Sequence, residues 1–389
     1  MKNKTNLVKK WKGLLNENSL KHKEVISNLL ENSYIESGYR IQEEELNEEG
    51  VQSSFIDAES YLIKPVVEGV VANSVAKELV HVYELTKGPV GTAYAFDYYQ
   101  APTDNNLNGN VYVGNTASLK YFPTYSQIQE GEKPAPIKLK VLDMKLDAKN
   151  GYERKVLFEL TEELKQDIKS QMDSDTAKII SNALSSEVSI GVDYDVLEFT
   201  RNNSTTVDDF VWTISSATER SNNPAQKLES KLLGEIGEFS GRSAGMASAI
   251  VITPKLIAAF ALMNKFQFDT TTIEEETASV LLKIGKLGSA DVFVNSVTIV
   301  DNTGVDVVEA LGEEILIFKK ASKKGTFAGT IYAPYDFRIL KPATNPDTFA
   351  EVHSLIHRYD IKQFANGDRY YKKFYVTGIT ATNYPYFTA

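Results

Sequence analysis

The chain of 389 residues contains no cysteine. That absence excludes a disulfide framework, a thiolate metal site and a cysteine nucleophile, and it fits a reducing compartment. Long apolar runs are also missing, because the longest, residues 249–263, is interrupted by Thr253, Pro254 and Lys255. This run is therefore not predicted to span a membrane. The opening residues lack the apolar segment of a signal peptide, and these features together predict a soluble cytosolic protein.

An excess of positive charge is lacking too, because the formal net charge is −10 at pH 7. An acidic chain does not hold nucleic acid through a sequence-wide electrostatic attraction. With 42% hydrophobic and 24% charged residues, the composition is that of a folded globular protein. The length allows two or three domains.

The start of the chain changes the sign of its charge. Lysines predominate at first, and glutamates follow, most densely in EEELNEEG at residues 43–50. Residues 1–30 have a helical pattern, in which Val25, Leu29 and Leu30 form the second part. The acidic segment has three interpretations: a solvated linker, an interaction tail, or a site at which the chain is cut.

The middle of the chain predicts an extended β arm. Residues 101–136 are rich in Asn, Gly, Pro and Thr and lack periodicity, which is typical of functional excursions. The segment 137–146 then alternates apolar and polar residues, with a change of phase that a β-bulge would explain. A second strand at 155–160 follows Asn150-Gly151, a hairpin-type dipeptide. We expect a long two-stranded arm with an irregular tip.

Apolar residues at helical spacing predict the main helices. A long helix covers about 174–199, with Ile180, Leu184 and Val188 on one face. A second, amphipathic helix carries Leu228, Leu232, Ile236 and Phe239 on one side. Strand-like segments such as 248–254 alternate with turns in the remainder, so the predicted fold class is α+β.

Residues that could carry chemistry do not converge on an active site. The segment 241–245 has the Gly-x-Ser-x-Gly pattern of a nucleophile elbow, which requires a strand-to-helix turn. Here a helix precedes Ser243 and a strand follows it, so we do not assign Ser243 as a nucleophile. His353 and His357 have the i, i+4 spacing of a helical zinc site, with Glu351 close by.

The segment around these two histidines also suits a strand. Residues four apart on a strand lie roughly 13 Å from each other and cannot share one metal ion. No third ligand is evident near His353 and His357. The sequence therefore predicts no catalytic, cofactor-binding or metal-binding residue, and no cofactor.

Motifs in several parts of the chain carry a resemblance to a known family. They are KKWKGLLNE (9–17), SNLLENS (27–33), RKVLFELTEELKQDI (154–168), LSSEVSIGVDYDV (184–196), AGTIYAPYDF (328–337), NPDTF (345–349) and HRYDI (357–361). In this order they resemble the major capsid proteins of T-even-type tailed bacteriophages. The chain departs from the family pattern at two places. Residues 191–194 are Gly-Val-Asp-Tyr, where the family has a glutamate followed by Ile-Asn-Arg, and residue 360 is aspartate, where the family has glycine.

The resemblance implies the Hong Kong ninety-seven-type phage capsid fold, with an N-terminal arm, an extended β loop, a spine helix, and peripheral and axial domains. It divides the chain into a scaffold-interacting leader (1–50), the N-terminal arm (51–88), the extended β loop (89–158), the peripheral domain with the spine helix (159–252), the axial domain (253–340) and a C-terminal return to the peripheral domain (341–389). In that fold the β loop lies across a neighbouring subunit.

The resemblance also favours one interpretation of the acidic segment. In this family a phage protease removes the leader after a Leu/Ile-x-Glu sequence. Leu46, Asn47 and Glu48 fit that sequence, which implies a cut between Glu48 and Glu49. Residues 29–31 fit it as well, but they belong to an apolar helical pattern that a protease could not easily enter.

The function implied by the resemblance is that of a major capsid protein without enzymatic activity. It would form hexamers and a closed head shell around double-stranded DNA, in the host bacterial cytoplasm, without sequence-specific DNA binding or a membrane. Its implied partners are copies of itself, a scaffold protein and a prohead protease, with vertex, portal and decoration proteins as further candidates. Two alternatives stay open: a nanocompartment shell of the same fold and a cytosolic α+β enzyme.

Overall fold

The computed structural model describes the larger part of the chain. The described residues are 23–36, 70, 74, 76–83, 85, 88–100, 111–112, 137–161, 163, 176–213, 222–243, 246–269, 281–295, 312–319, 329–345, 350–365 and 367–379. Within these ranges helices and sheets are mixed, which confirms the predicted α+β class.

The secondary structure alternates between helices and strands along the chain. The helices are α1 (Lys23–Glu36), α2 (Ala76–Leu79), α3 (Thr176–Asn202), α4 (Asn222–Ser243) and α5 (Ile257–Ala261), with 3-10 turns at Pro254–Leu256 and Gly367–Tyr370. The strands are β1 (His81–Val82), β2 (Val90–Gln100), β3 (Val111–Tyr112), β4 (Ile137–Asp147), β5 (Tyr152–Leu160), β6 (Thr205–Thr206), β7 (Phe210–Val211), β8 (Ala249–Ile252), β9 (Phe266–Phe268), β10 (Leu281–Leu287), β11 (Ala290–Asn295), β12 (Glu313–Phe318), β13 (Thr330–Thr344), β14 (Glu351–Gln363) and β15 (Tyr371–Thr377).

The first sheet has the strand order β1-β13-β14-β5 and carries the long helix α3 on one face. Helix α3 presents a buried stripe at every fourth position, which is the spacing of one helix face. Its members, Leu184, Val188, Val192 and Val196, are each 0% exposed and belong to the same core cluster as residues of β13 and β14. The predicted helix at 174–199 is confirmed.

The second sheet has the order β6-β15-β12-β8-β11-β10-β9, and β7 also pairs with β15. Helix α4 covers one face of it with the predicted apolar stripe. Leu228, Leu232, Ile236 and Phe239 are buried in the core cluster of this sheet. Strand β8 is buried along its whole length, as the predicted strand at 248–254 requires.

The third sheet is the predicted arm, but its strands pair differently from the prediction. Strand β4 pairs along its whole length with β2, from Val90 opposite Asp147 to Gln100 opposite Ile137, and β3 adds to the outer edge. Strand β5 pairs with β14 of the first sheet instead. The expectation that β4 and β5 form one hairpin is therefore wrong, because Asn150-Gly151 turns the chain from one sheet into another.

The predicted β-bulge in β4 is also wrong. The register with β2 is unbroken through Lys140, Val141 and Leu142. The change of phase has another cause: Leu142, Met144 and Leu146 are buried, while Val141 belongs to the opposite face and is 51% exposed. Strand β4 therefore has apolar residues on both of its faces.

None of the helices in the described part of the chain has the length and apolar composition of a transmembrane span.

Candidate functional site

The inner face of the arm is fixed to the body of the subunit. Leu142, Met144 and Leu146 of β4 lie in one buried cluster with Ala93 of β2. The same cluster contains residues of β13 and its surroundings, namely Ile331, Ala333, Tyr335 and Phe364. The root of the arm is therefore packed as firmly as a protein core.

The outer face of the arm has apolar side chains that nothing in the described subunit covers. Tyr94 is 58% exposed and Val141 is 51% exposed, and Val90 at the root is 59% exposed. Tyr94 lies directly opposite Asp143, and exposed Asp143 and Lys145 surround these apolar residues with charge. An apolar centre with a charged rim is the usual composition of a protein–protein contact.

A tight turn connects the arm to the first sheet. The Asp147 carboxylate accepts hydrogen bonds from the backbone nitrogen of Lys149 (3.1 Å) and from the side chain of Asn150 (2.8 Å). The bond from Asn150 is the main reason why the pKa of Asp147 lies below its usual value. The Asp147 backbone nitrogen in turn donates to Oδ2 of Asp360 on β14 at 2.7 Å.

This turn depends on two residues that the sequence marked. A Cβ on Gly151 would lie 2.5 Å from the carbonyl oxygen of Tyr359, so the close approach of the two backbones requires glycine. Asp360, where the chain departs from the family pattern, is 3% exposed and forms an ion pair with Lys362 at 3.0 Å. Asp360 therefore supplies the acceptor that holds the turn.

Beyond the turn, a polar lock joins β5 to helix α3 and β14. Arg154 Nε donates to Asp195 Oδ2 at 2.9 Å, and Arg154 Nη2 donates to Asp195 Oδ1. The Tyr359 hydroxyl donates to the same carboxylate. Burial, followed by the charge of Asp195, raises the pKa of Tyr359 well above its usual value. The hydrogen bond to Asp195 raises the pKa of Arg154.

Gly191 on α3 makes room for this lock. A Cβ on Gly191 would lie 3.3 Å from Arg154 Nε, so a larger residue there would crowd the guanidinium group. Two positions along, Asp193 accepts a 2.7 Å hydrogen bond from Ser74 Oγ. Asp193 therefore connects α3 to the segment before β1, while Gly191 leaves room for the Arg154 side chain.

His357 has a structural position in the same region. It lies on β14, is 0% exposed, and stacks on Phe337 with ring centroids 3.8 Å apart. Nδ1 is 2.9 Å from the carbonyl oxygen of Asp336 and must therefore donate, which leaves Nε2 to accept from the Tyr332 hydroxyl at 2.9 Å. Burial lowers the pKa of His357 from 6.5 to about 3, so the ring is neutral.

The two downstream histidines lie on a strand, as one of the two sequence interpretations stated. His353 pairs with Phe158 and His357 with Arg154 across the ladder between β14 and β5. The helical zinc site is therefore wrong as an interpretation of their spacing. In the described ranges, no group of three His, Asp or Glu side chains is placed to hold a metal ion.

The remaining residues singled out by sequence have mixed outcomes. Ser243 is the last residue of α4 and precedes β8, so the helix-to-strand order that argued against a nucleophile elbow is confirmed. Leu46, Asn47, Glu48 and Glu49 lie outside the described residues.

Sequence reasoning missed the lock between Arg154, Asp195 and Tyr359. One signal was available, because Asp195 falls between Val192 and Val196 in an apolar helix, and a buried carboxylate requires a partner. The partner itself could not be read from the sequence, since Arg154 and Tyr359 are far from Asp195 along the chain.

An arm fixed along one face and apolar along the other is the construction of a structural subunit that contacts further protein. Comparison with known families agrees: residues 126–376 match the family model described as major capsid protein Gp23. The match spans more than half of the chain, and the chain belongs to this family. It is a phage major capsid protein of the virion, which self-associates to form the head shell.

The solved structures to which the chain is similar are distant in sequence. The chain is similar to the mature capsid of bacteriophage PhiM1 (8% identity, TM-score 0.44, covering 79% of this chain and 88% of that chain). It is similar to a structure from Microbacterium phage Oxtober96 (10%, 0.43, 78% and 91%). It is also similar to a virus-like particle from Pyrococcus furiosus (13%, 0.38, 81% and 98%). A search of curated proteins finds no match.

The family match decides between the alternatives left open by the sequence. It favours the head shell over the nanocompartment, and it points to a structural protein rather than a cytosolic enzyme. The mixed helices and sheets agree with the expected Hong Kong ninety-seven-type capsid fold.

Proposed function

We propose that the chain assembles into hexameric capsomers in which the outer face of each β arm lies across a neighbouring subunit. The observation that carries this proposal is that the arm has apolar side chains on both of its faces. Its inner face is covered by the subunit itself, while Tyr94 and Val141 on the outer face are more than half exposed. In a closed shell every subunit has a second copy of the chain beside it, and that copy is the partner that would cover the outer face of the arm.

A further exposed residue, on β5 beyond the turn that connects the arm to the first sheet, supports a contact that continues past the arm. Leu157 on β5 is 72% exposed, on the face opposite to Val156 and Phe158, which pack against the core. Charged Lys155 and Glu159 are also exposed on this side of the strand. The pattern repeats that of the arm, with an apolar residue between charges.

The energy of such a contact is modest for each residue. Covering a side chain that is already half buried contributes about 1 kcal/mol, roughly half of the value for complete burial. Each subunit makes one such heterologous contact with the next subunit. When the rotation between neighbouring subunits brings the last one back to the first, these contacts form a closed ring. The shell is held by the sum of many such contacts.

We further propose the division of the chain that the family resemblance implies. The leader (1–50) and N-terminal arm (51–88) precede the extended β loop (89–158). The peripheral domain with the spine helix (159–252), the axial domain (253–340) and the C-terminal return (341–389) follow. The first and second sheets share no strand, which supports a division into two units, while one core cluster contains residues of both sheets.

We propose that a prohead protease cuts the leader between Glu48 and Glu49, after Leu46 and Asn47. The alternative sequence at residues 29–31 is a poor substrate, because Leu29 and Leu30 are each 2% exposed within α1. Proteases act on accessible, extended chain. The cut accompanies assembly on a scaffold protein in the host cytoplasm.

The remaining partners follow from a shell that encloses double-stranded DNA. Portal, vertex and decoration proteins complete such a shell, and the DNA is enclosed without sequence-specific binding. A chain with a net charge of −10 suits this role, because a strongly basic inner surface would hold the genome during packaging. The subunit itself acts through interfaces and not as an enzyme.

Electron microscopy of the purified full-length protein, with and without a scaffold protein from the same source, tests the proposal. Shells, tubes or hexameric rings are the expected result. Small discrete oligomers under every condition would contradict it. DNA inside purified particles, rather than enzyme cargo, would separate a phage head from a nanocompartment.

A further inference from the structure

Helix α1, which lies within the leader, is built into the core of the first sheet. Its residues Ile26, Leu29 and Leu30 are each 2% exposed. They belong to the same core cluster as Leu184 and Val188 of α3. Helix α1 packs against β13, the strand that also carries the inner cluster of the arm. A leader that served only as a disposable tail would not contribute core residues.

A polar anchor fixes the register of this helix. The side-chain amide of Asn32 donates one hydrogen bond to the carbonyl oxygen of Leu85 at 2.8 Å and one to that of Tyr335 at 2.9 Å. Both bonds are buried, and Asn32 is 5% exposed. Loss of the helix would leave two buried carbonyl oxygens without this donor, which is costly in a protein interior.

We propose that α1 is a docked ligand of the first sheet, and that it stays bound after the chain is cut at Glu48. Cutting then removes the covalent connection but not the leader, whose departure requires a separate displacement of the helix. The occupant of the docking site is residues 23–36 of the same chain. The proposal that α1 stays bound after cutting rests on the proposed cut at Glu48, which lies twelve residues beyond the end of α1 at Glu36.

The chain makes a direct test available. Residues 46–49 are replaced by the recognition sequence of an unrelated protease, so that the cut does not depend on the phage enzyme. The full-length protein is cut, and size-exclusion chromatography with mass spectrometry follows the leader fragment. We expect the fragment to elute together with the rest of the chain.

A peptide competition experiment measures how strongly helix α1 binds, and it leaves the rest of the protein unchanged. A labelled synthetic peptide of residues 20–48 exchanges into the cut protein, and unlabelled peptides compete with it. The peptide with Leu29→Ala should compete at least about 30-fold less well, which is about 2 kcal/mol at 1.4 kcal/mol per tenfold change. The matched control is Glu31→Gln, which keeps the size of the side chain and its ability to form hydrogen bonds at a half-buried position, and which should stay within about threefold of the native peptide.

Two results would overturn the docking. One is a native fragment that separates from the cut protein as a free peptide. The other is a Leu29→Ala peptide that competes as well as the native peptide. Either can occur while the protein still forms shells and while the phage protease still cuts at Glu48, so the docking and the proposed function fail independently.

Discussion

Replacing Asp195 by alanine should destabilise the subunit through the hydroxyl group of Tyr359 more than through the charge of Arg154. Asp195 is 6% exposed and Tyr359 is 0% exposed. Without the carboxylate, the buried hydroxyl loses the acceptor to which it donates, at a cost of about 1–3 kcal/mol. The Arg154 side chain is 39% exposed and can be solvated, so its ion pair adds only about 0.5–1 kcal/mol.

The expected loss for Asp195→Ala is therefore about 1.5–4 kcal/mol in the free energy of unfolding. Urea denaturation of the unassembled subunit measures it, together with Tyr359→Phe and the double variant. Tyr359→Phe alone should cost about 1 kcal/mol, the usual net value of one hydrogen bond. In the Asp195→Ala background it should cost nothing or stabilise, because it removes a hydroxyl that has already lost its acceptor.

A control variant on the same strand separates the lock from general effects of mutation. Lys155 has a 65% exposed side chain and a 3.6 Å ion pair with Glu153, so Lys155→Ala should change stability by less than about 0.5 kcal/mol. The reasoning is refuted if Tyr359→Phe costs the same in both backgrounds, since the thermodynamic cycle would then show no coupling.

Two further predictions concern the region around the arm base. His357 is neutral in the folded state with a pKa of about 3, whereas its unfolded value is 6.5. The unfolded chain therefore binds the extra proton first, and stability should fall by about 2–3 kcal/mol as the pH drops from 6.5 to 4.5. His357→Gln should flatten this dependence in urea titrations at several pH values, and an unchanged slope would contradict the assignment. Gly151→Ala should lower the melting temperature, at a cost of about 1–3 kcal/mol, because the new methyl group meets the Tyr359 carbonyl oxygen at 2.5 Å. Gly237→Ala in α4, with nothing within 4 Å of the added Cβ, should instead raise it, and equal shifts in both variants would rule out the steric explanation.

Local patterns were sufficient to predict several elements of this fold. Helix α3 extends from Thr176 to Asn202, close to the predicted 174–199, because a stripe of apolar residues at helical spacing is a property of the segment itself. Helix α4 was predictable for the same reason, and strand β8 was predictable from its short continuous apolar run. The helical pattern around Leu29 likewise corresponds to α1.

Partners distant along the chain were not predictable. Strand β5 pairs with β14, about two hundred residues later, and nothing local distinguishes that pairing from a hairpin with β4. The change of phase in β4 suggested a bulge because a single apolar face was assumed. The apolar outer face is the surface that the proposed contact with a neighbouring subunit would cover. Likewise, the sequence of α1 does not show whether the helix binds a scaffold or its own sheet.

Maleimide labelling of Val141→Cys is the measurement that tests the role of the arm most directly. The chain has no cysteine, so the variant carries a single reactive thiol on the outer face of the arm. In assembled shells it should react at least about tenfold more slowly than in free subunits, because the centre of a contact is packed like a protein interior. Shells dissolved in urea should label completely, as a control. Equal rates in intact shells and free subunits would contradict the proposal that the arm lies across a neighbour.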